Sequence, residues 1–132
     1  MKALDAWVLL AILEGEPSAK RLLQHLRGVE VATTEVSMLE LYLLADVGSA
    51  RGRSARRASL ERLRRKLTVL PIDSRAVTEA ARRGSVRLRG EELLRLLEWG
   101  ALEAYGCDEL YTRSRILPPG KWRFNVNRVG AK

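Results

Sequence analysis

The chain has 132 residues, 46% of them hydrophobic and 30% charged, which suits one globular domain with a real core and excludes a disordered, collagenous or disulfide-built protein. Lys and Arg number 24 against 16 Asp and Glu, a net charge of +8. The excess is local: residues 51–89 hold 13 basic and 3 acidic side chains, while the segments before and after carry −3 and +1.

In chain order, Lys2 to Leu4 reads as a short strand ending at Asp5, and Ala6 to Leu13 as a mostly apolar helix stopped by Gly15 and Pro17. Eight apolar residues fall well short of the roughly twenty that cross a bilayer, so no membrane span is expected. Only Lys2 precedes the run and no small-residue cleavage site follows it, so no secretory leader is read there. Pro17 opens a second helix in which Ala19, Leu22, Leu23 and Leu26 share one face, with His25 at its edge. Gly28 ends it, and Val29 to Ala32 carries a strand signal.

A third helix begins at Thr33 or Thr34 as N-cap and runs through Met38, Leu39, Leu41, Tyr42 and Leu44 towards Gly48. Ser54 to Leu67 forms the next helix, with Ala55, Ala58, Leu63 and Leu67 expected inward and Arg53, Arg56, Arg57, Arg64 and Arg65 outward. Thr68 to Ile72 reads as a strand, and Asp73 or Ser74 caps a helix through Ala76, Val77, Ala80 and Ala81. Gly90 precedes a Leu-rich helix from Glu91 to Tyr105, and Asp108 to Thr112 is the last clear strand. The tail from Pro118 interleaves Lys121, Trp122, Arg123, Phe124 and Arg128, which suits packing of a terminal strand better than stacking of bases. Strands alternating with helices argue for one α/β sandwich around a mainly parallel sheet, without internal repeats.

Cys107 is alone, which rules out an internal disulfide and a cysteine-based zinc site and makes a reducing cytoplasm the expected compartment. One Gln, two Asn and 19 Arg to 5 Lys lean towards a heat-adapted source. His25 has no second ligand, and Cys107 no paired His. The arginines of residues 51–66, among them Arg51, Arg53, Arg56, Arg57, Arg64 and Arg65, have too few acids nearby for an internal ion-pair network. They favour an acidic partner, nucleic acid or an acidic protein segment.

In parallel sheets ligands collect at the carboxyl ends of the strands. Asp5 ends a strand there, either as a plain N-cap or as a cation ligand, and Glu40 stands out inside an apolar helix. Leu4-Asp5 before an apolar helix, Thr33-Thr34 leading to Glu40-Leu41, Leu67 to Asp73 before an Ala-rich helix, and Trp99-Gly100-Ala101 followed by Gly106 to Thr112 together resemble a PIN-domain ribonuclease, especially archaeal members. The resemblance covers residues 2 to about 117 and rests on several matches in order.

It implies a PIN-like three-layer α/β/α sandwich and an RNA-cleaving activity, often the toxin half of a VapC-type toxin–antitoxin pair. Carboxylates in that family hold Mg²⁺ or Mn²⁺, which activates water and neutralises charge on the phosphate. Asp5 matches the first acid and Glu40 the second, with Thr112 and Ser114 placed to orient water or ligand. The third acid is missing. Counting back eleven from Gly106 or four from Trp99 gives Arg95, and the variable fourth position is Ser114. A fixed cation there would repel a divalent metal and pair with Asp5 or Glu40. Glu91 and Glu98 share a helical face with Arg95 and are the possible substitute acids. The plainer reading makes Glu91, Glu92 and Glu98 solvated charges, with Glu91 and Arg95 an i,i+4 pair.

The expectation is therefore weakened or absent metal-dependent cleavage in an RNA-acting protein, or a silent relative that binds RNA or a protein. An antitoxin partner and a homodimer follow from the same reading, the dimer because the first helices and the Leu-rich third helix carry surplus apolar surface.

Overall fold

Alternating side chains along three short strands divide the molecule into two apolar layers. In β1 (Lys2–Leu4) and β2 (Val31–Thr34), Ala3 and Ala32 point into one core cluster while Leu4 and Val31 point into the other. The computed structural model describes residues 1–130; the last two residues of the tail lie outside the described part. Its remaining elements are α1 (Ala6–Leu13), α2 (Pro17–His25), α3 (Glu35–Ala45), α4 (Ala50–Arg64), β3 (Thr68–Leu70), α5 (Ser74–Ala81), α6 (Glu91–Ala104), β4 (Glu109–Thr112) and β5 (Asn125–Arg128).

The strands form one sheet in the order β3-β2-β1-β4-β5, and every pairing is parallel. On one face, α1 to α4 supply Val8, Leu9, Met38, Leu41, Leu60 and Leu63 to the core. On the other, α5 and α6 supply Ala76, Trp99, Ala101 and Leu102, joined by Phe124 from the tail. This is the expected three-layer sandwich. Gly100 lets α5 and α6 approach closely, because a Cβ there would stand 2.3 Å from the Ala76 carbonyl oxygen.

Four details depart from the sequence reading. β2 starts two residues late, since Lys2 pairs with Val31 and leaves Val29 and Glu30 exposed. Helix α3 stops at Ala45, short of Gly48, and α4 begins at Ala50, where the Ser49 hydroxyl accepts from Gly52 N. Ala55 and Ala58 are exposed. The inward face of α4 runs through Arg56, Leu60 and Leu63 at i, i+4 and i+7, so Leu63 points in as expected while the two alanines fall outside that face. A fifth strand, β5, follows what looked like the last one, and its edge position explains why a single Val among polar residues suffices.

The tail aromatics pack inward, as expected. Trp99 lies 5.4 Å from Trp122 and 5.2 Å from Phe124, both edge to face. Arg83 covers the outer face of Trp122 at 4.4 Å. Cys107 is buried, and burial pushes its thiol up to about 11, which suits a packing role.

Candidate functional site

Strand order reverses at β1, with β2 and β3 to one side and β4 and β5 to the other, so the carboxyl ends of β1, β2 and β4 open onto the switch point of the sheet. Asp5, Thr34 and Thr112 sit there. Asp5 is 4% exposed and fully engaged: Oδ1 accepts from Val8 N at 3.0 Å, capping α1, while Oδ2 accepts from the Thr112 hydroxyl and from Arg113 N at 3.2 Å. Asp5 is thus the helix cap that the sequence offered as one reading, and its second oxygen, at the cleft, is taken by Thr112 and Arg113.

Across the cleft, α3 presents Glu40 and α6 presents Arg95 and Glu98. The Arg95 guanidinium, 2% exposed, bridges the two acids, with Nη2 2.5 Å from Glu40 Oε1 and Nη1 2.5 Å from Glu98 Oε1. The other oxygen of Glu98 accepts from the Thr34 hydroxyl at 2.6 Å and from the Ser37 hydroxyl. Thr34 in turn caps α3, its oxygen accepting from Ser37 N at 3.1 Å. Burial works against the charge of Arg95, but Glu98, Glu40 and Asp5 outweigh it and hold its pKa above the usual value. For Glu98 burial dominates and lifts the carboxyl to about 6, against the opposing pull of Arg95, Ser37 and Thr34.

These positions correct the plainer sequence reading of the α6 acids. Glu98 is a buried cleft residue and Glu91 is exposed; Arg95 makes its ion pairs with Glu40 and Glu98, not with Glu91. Ser37 and the second role of Thr34 went unread, although hydroxyls one turn apart at the start of α3 opposite an acidic helix were the available signal. Thr112 fixes Asp5. Ser114 is half-buried and hydrogen-bonded locally, its N donating to Thr112 Oγ1 at 2.9 Å and its Oγ accepting from Ile116 N at 3.1 Å.

The residues present do not fit a divalent metal. The cavity that Asp5, Thr34, Arg95, Glu98 and Thr112 share with the apolar Trp99, Leu102 and Leu110 measures about 10 Å³, at the lower limit for one water, and Glu40 does not line it. Mg²⁺ keeps several waters in an octahedral shell and needs free carboxylate oxygens. Here both oxygens of Asp5, both of Glu98 and Oε1 of Glu40 already accept from Arg95, hydroxyls or backbone. Among the described residues no group of three or more His, Cys, Asp or Glu side chains is arranged to hold a metal.

The basic helix presents a mixed picture. Arg51, Arg53 and Arg65 are exposed and have no ion-pair partner among the described residues. Arg57 pairs with Asp46 at 3.1 Å on the surface, and Arg64 donates to the Tyr42 hydroxyl at 2.9 Å. Arg56, expected outward, turns in: its Nε donates to the Ala45 carbonyl at 3.1 Å and holds the end of α3. Among the described residues no helix is long and apolar enough to cross a membrane.

A parallel sheet whose strand order reverses at an acid-lined cleft places the candidate site where open α/β folds gather ligands. The sequence matches the PIN-domain family over residues 2–88, and the chain belongs to that family. No curated protein matches the chain in sequence. Among solved structures it is similar to VapBC2 of Rickettsia felis bound to a DNA fragment from its promoter, with 13% identity, a TM-score of 0.73, and 97% of this chain and 98% of that one covered. It is also similar to a VapBC toxin–antitoxin system of Mycobacterium tuberculosis, at 23% identity and TM-score 0.66 over 97% and 98% of the two chains. A third likeness is to a sarcin-ricin-loop-cleaving toxin of the same organism, at 17% identity and TM-score 0.63 over 90% and 100%.

Proposed function

We propose that this chain is a PIN-domain protein of the toxin type that binds RNA without cutting it by a metal-dependent route. The observation that carries this is Arg95, buried between Glu40 and Glu98 where relatives would hold a cation. The guanidinium sets a permanent +1 between the two carboxylates, and unlike a metal it has no open coordination position with which to activate water. Asp5 and Glu40 remain the family's acids in position, but both Asp5 oxygens and one oxygen of Glu40 already have donors. The expectation of weakened or absent cleavage narrows, on this geometry, to none with Mg²⁺ or Mn²⁺.

Binding is supported by the unneutralised arginines. Arg51, Arg53 and Arg65, with Arg57 and Arg64 nearby, are exposed cations spread around and along α4, suited to phosphate contacts that need no particular sequence. An antitoxin partner is supported by the toxin–antitoxin pairs among the structural relatives. A homodimer is supported by Leu39 and Leu43 on α3 and Val47 just past its end, all more than 60% exposed.

The test incubates wild type and Asp5→Ala with structured and single-stranded RNA in Mg²⁺ or Mn²⁺. This reading expects salt-dependent binding by both and cleavage by neither. Metal-dependent cleavage by wild type that Asp5→Ala abolishes would restore the active-nuclease reading.

A further inference from the structure

Beside the ion-paired centre lies a groove of about 370 Å³ lined by Trp7, Glu91, Arg113, Ser114, Arg115 and Ile116. Trp7 belongs to the first turn of α1, where Ala6, Val8 and Leu9 are buried and the indole alone is 44% exposed. A single exposed aromatic needs no explanation. Here it faces a wall that is chemically matched to it and tied to the centre.

That wall is the segment 112–116. The Thr112 hydroxyl donates to Asp5, Ser114 N donates to Thr112 Oγ1, and Ile116 N donates to Ser114 Oγ, so one hydrogen-bonded ladder links the groove to the acid of β1. The guanidinium of Arg113 is consumed by the fold, donating to Glu16 at 3.0 and 2.6 Å and to the Val129 carbonyl at 3.0 Å. Arg115 is exposed and has no ion-pair partner among the described residues. The groove thus combines an open aromatic face, an aliphatic contact at Ile116, a fixed floor and one free cation, with Glu91 repelling phosphate from the opposite rim.

We propose that this groove is a nucleotide subsite for single-stranded RNA, one base stacking on Trp7 with its phosphate against Arg115. The inference rests on the RNA-binding reading above and adds a position to it. Every base has a π-face, so such a platform tolerates any sequence, and the cationic α4 supplies the remaining backbone contacts.

The experiment titrates the full chain with oligouridine of about eight nucleotides, following tryptophan emission and affinity at several salt concentrations, with linear polyphosphate as the base-free probe. Trp99 is buried and Trp122 is covered by Arg83, which leaves Trp7 as the reporter. Oligouridine should quench the emission and polyphosphate should not. Trp7→Ala should weaken oligouridine binding by about 5- to 150-fold, the worth of one stacked base, and Arg115→Ala should lower the salt slope by about 0.7. Trp7→Phe, which keeps a ring and the packing, should bind close to wild type. Unchanged affinity in Trp7→Ala, with salt-dependent binding intact, would overturn the subsite and leave the RNA reading standing. Equal quenching by polyphosphate would also overturn it. Absence of any salt-dependent RNA binding by wild type would remove the RNA reading and the subsite together.

Discussion

Replacing Arg95 by Gln removes the guanidinium and leaves Glu98, whose side chain is 7% exposed, without its counter-charge. Glu40, at 25%, regains water and loses little. Breaking a buried pair by removing one partner costs about 3–5 kcal/mol. The hydroxyls of Thr34 and Ser37 still serve Glu98, which places the cost near the lower end, about 3 kcal/mol at pH 8. For a domain of this size that is a fall in Tm of about 10–15 °C. Without Arg95 the Glu98 carboxyl should titrate higher still than about 6, so the deficit should shrink as pH falls towards 5 and the acid takes up a proton. Differential scanning calorimetry across that range, with and without millimolar Mn²⁺, reads both effects. Mn²⁺ should raise the Tm of Arg95→Gln by mass action and leave wild type unmoved. A loss below about 1 kcal/mol at pH 8, or Mn²⁺ stabilisation of wild type, would refute the argument that the guanidinium stands in for a cation.

Glu98 should also leave its mark on wild type. Its folded pKa of about 6 exceeds the ordinary 4.5, so the folded state binds the proton more tightly and a penalty of about 2 kcal/mol sets in as pH rises from 4.5 through 6. Urea denaturation should show that decline, and Glu98→Gln should flatten it. On the basic helix, Arg51→Glu with Arg53→Glu should weaken RNA binding and lower its salt slope by about 0.7 per lost phosphate contact, as read in filter-binding titrations; an unchanged slope would move the docking face elsewhere. Gly100→Ala would drive a Cβ to 2.3 Å from the Ala76 carbonyl oxygen and 2.9 Å from Ala80 Cβ. Parting α5 from α6 should cost about 1–3 kcal/mol by chemical denaturation, and a neutral result would mean looser packing there.

The sandwich was legible because strand and helix periods alternate and because Asp5, Thr34 and Asp73 mark helix starts by residue type. Arg95 was legible through the family resemblance as the break in an acid set, but charge alone left Asp5, Glu40 and Glu91 open as its partner, and packing selects Glu40 and Glu98. Glu98 was harder. On α6 it looks like one more surface charge beside Glu91 and Glu92, and only the approach of Thr34 and Ser37 from another layer makes it buried. Arg56 misled for the same reason, since its inward turn depends on the α3 carboxyl end, eleven residues away. Trp7 hid inside an apolar helix whose pattern gave no sign that one ring stayed outside.

The central claim is that an arginine occupies the place of a catalytic metal. A crystal of wild type grown in Mn²⁺ and measured at the manganese edge tests it most directly. The account predicts Arg95 between Glu40 and Glu98 with no anomalous peak in the cleft. A manganese peak bound by Asp5 and Glu40, with the guanidinium swung aside, would contradict it.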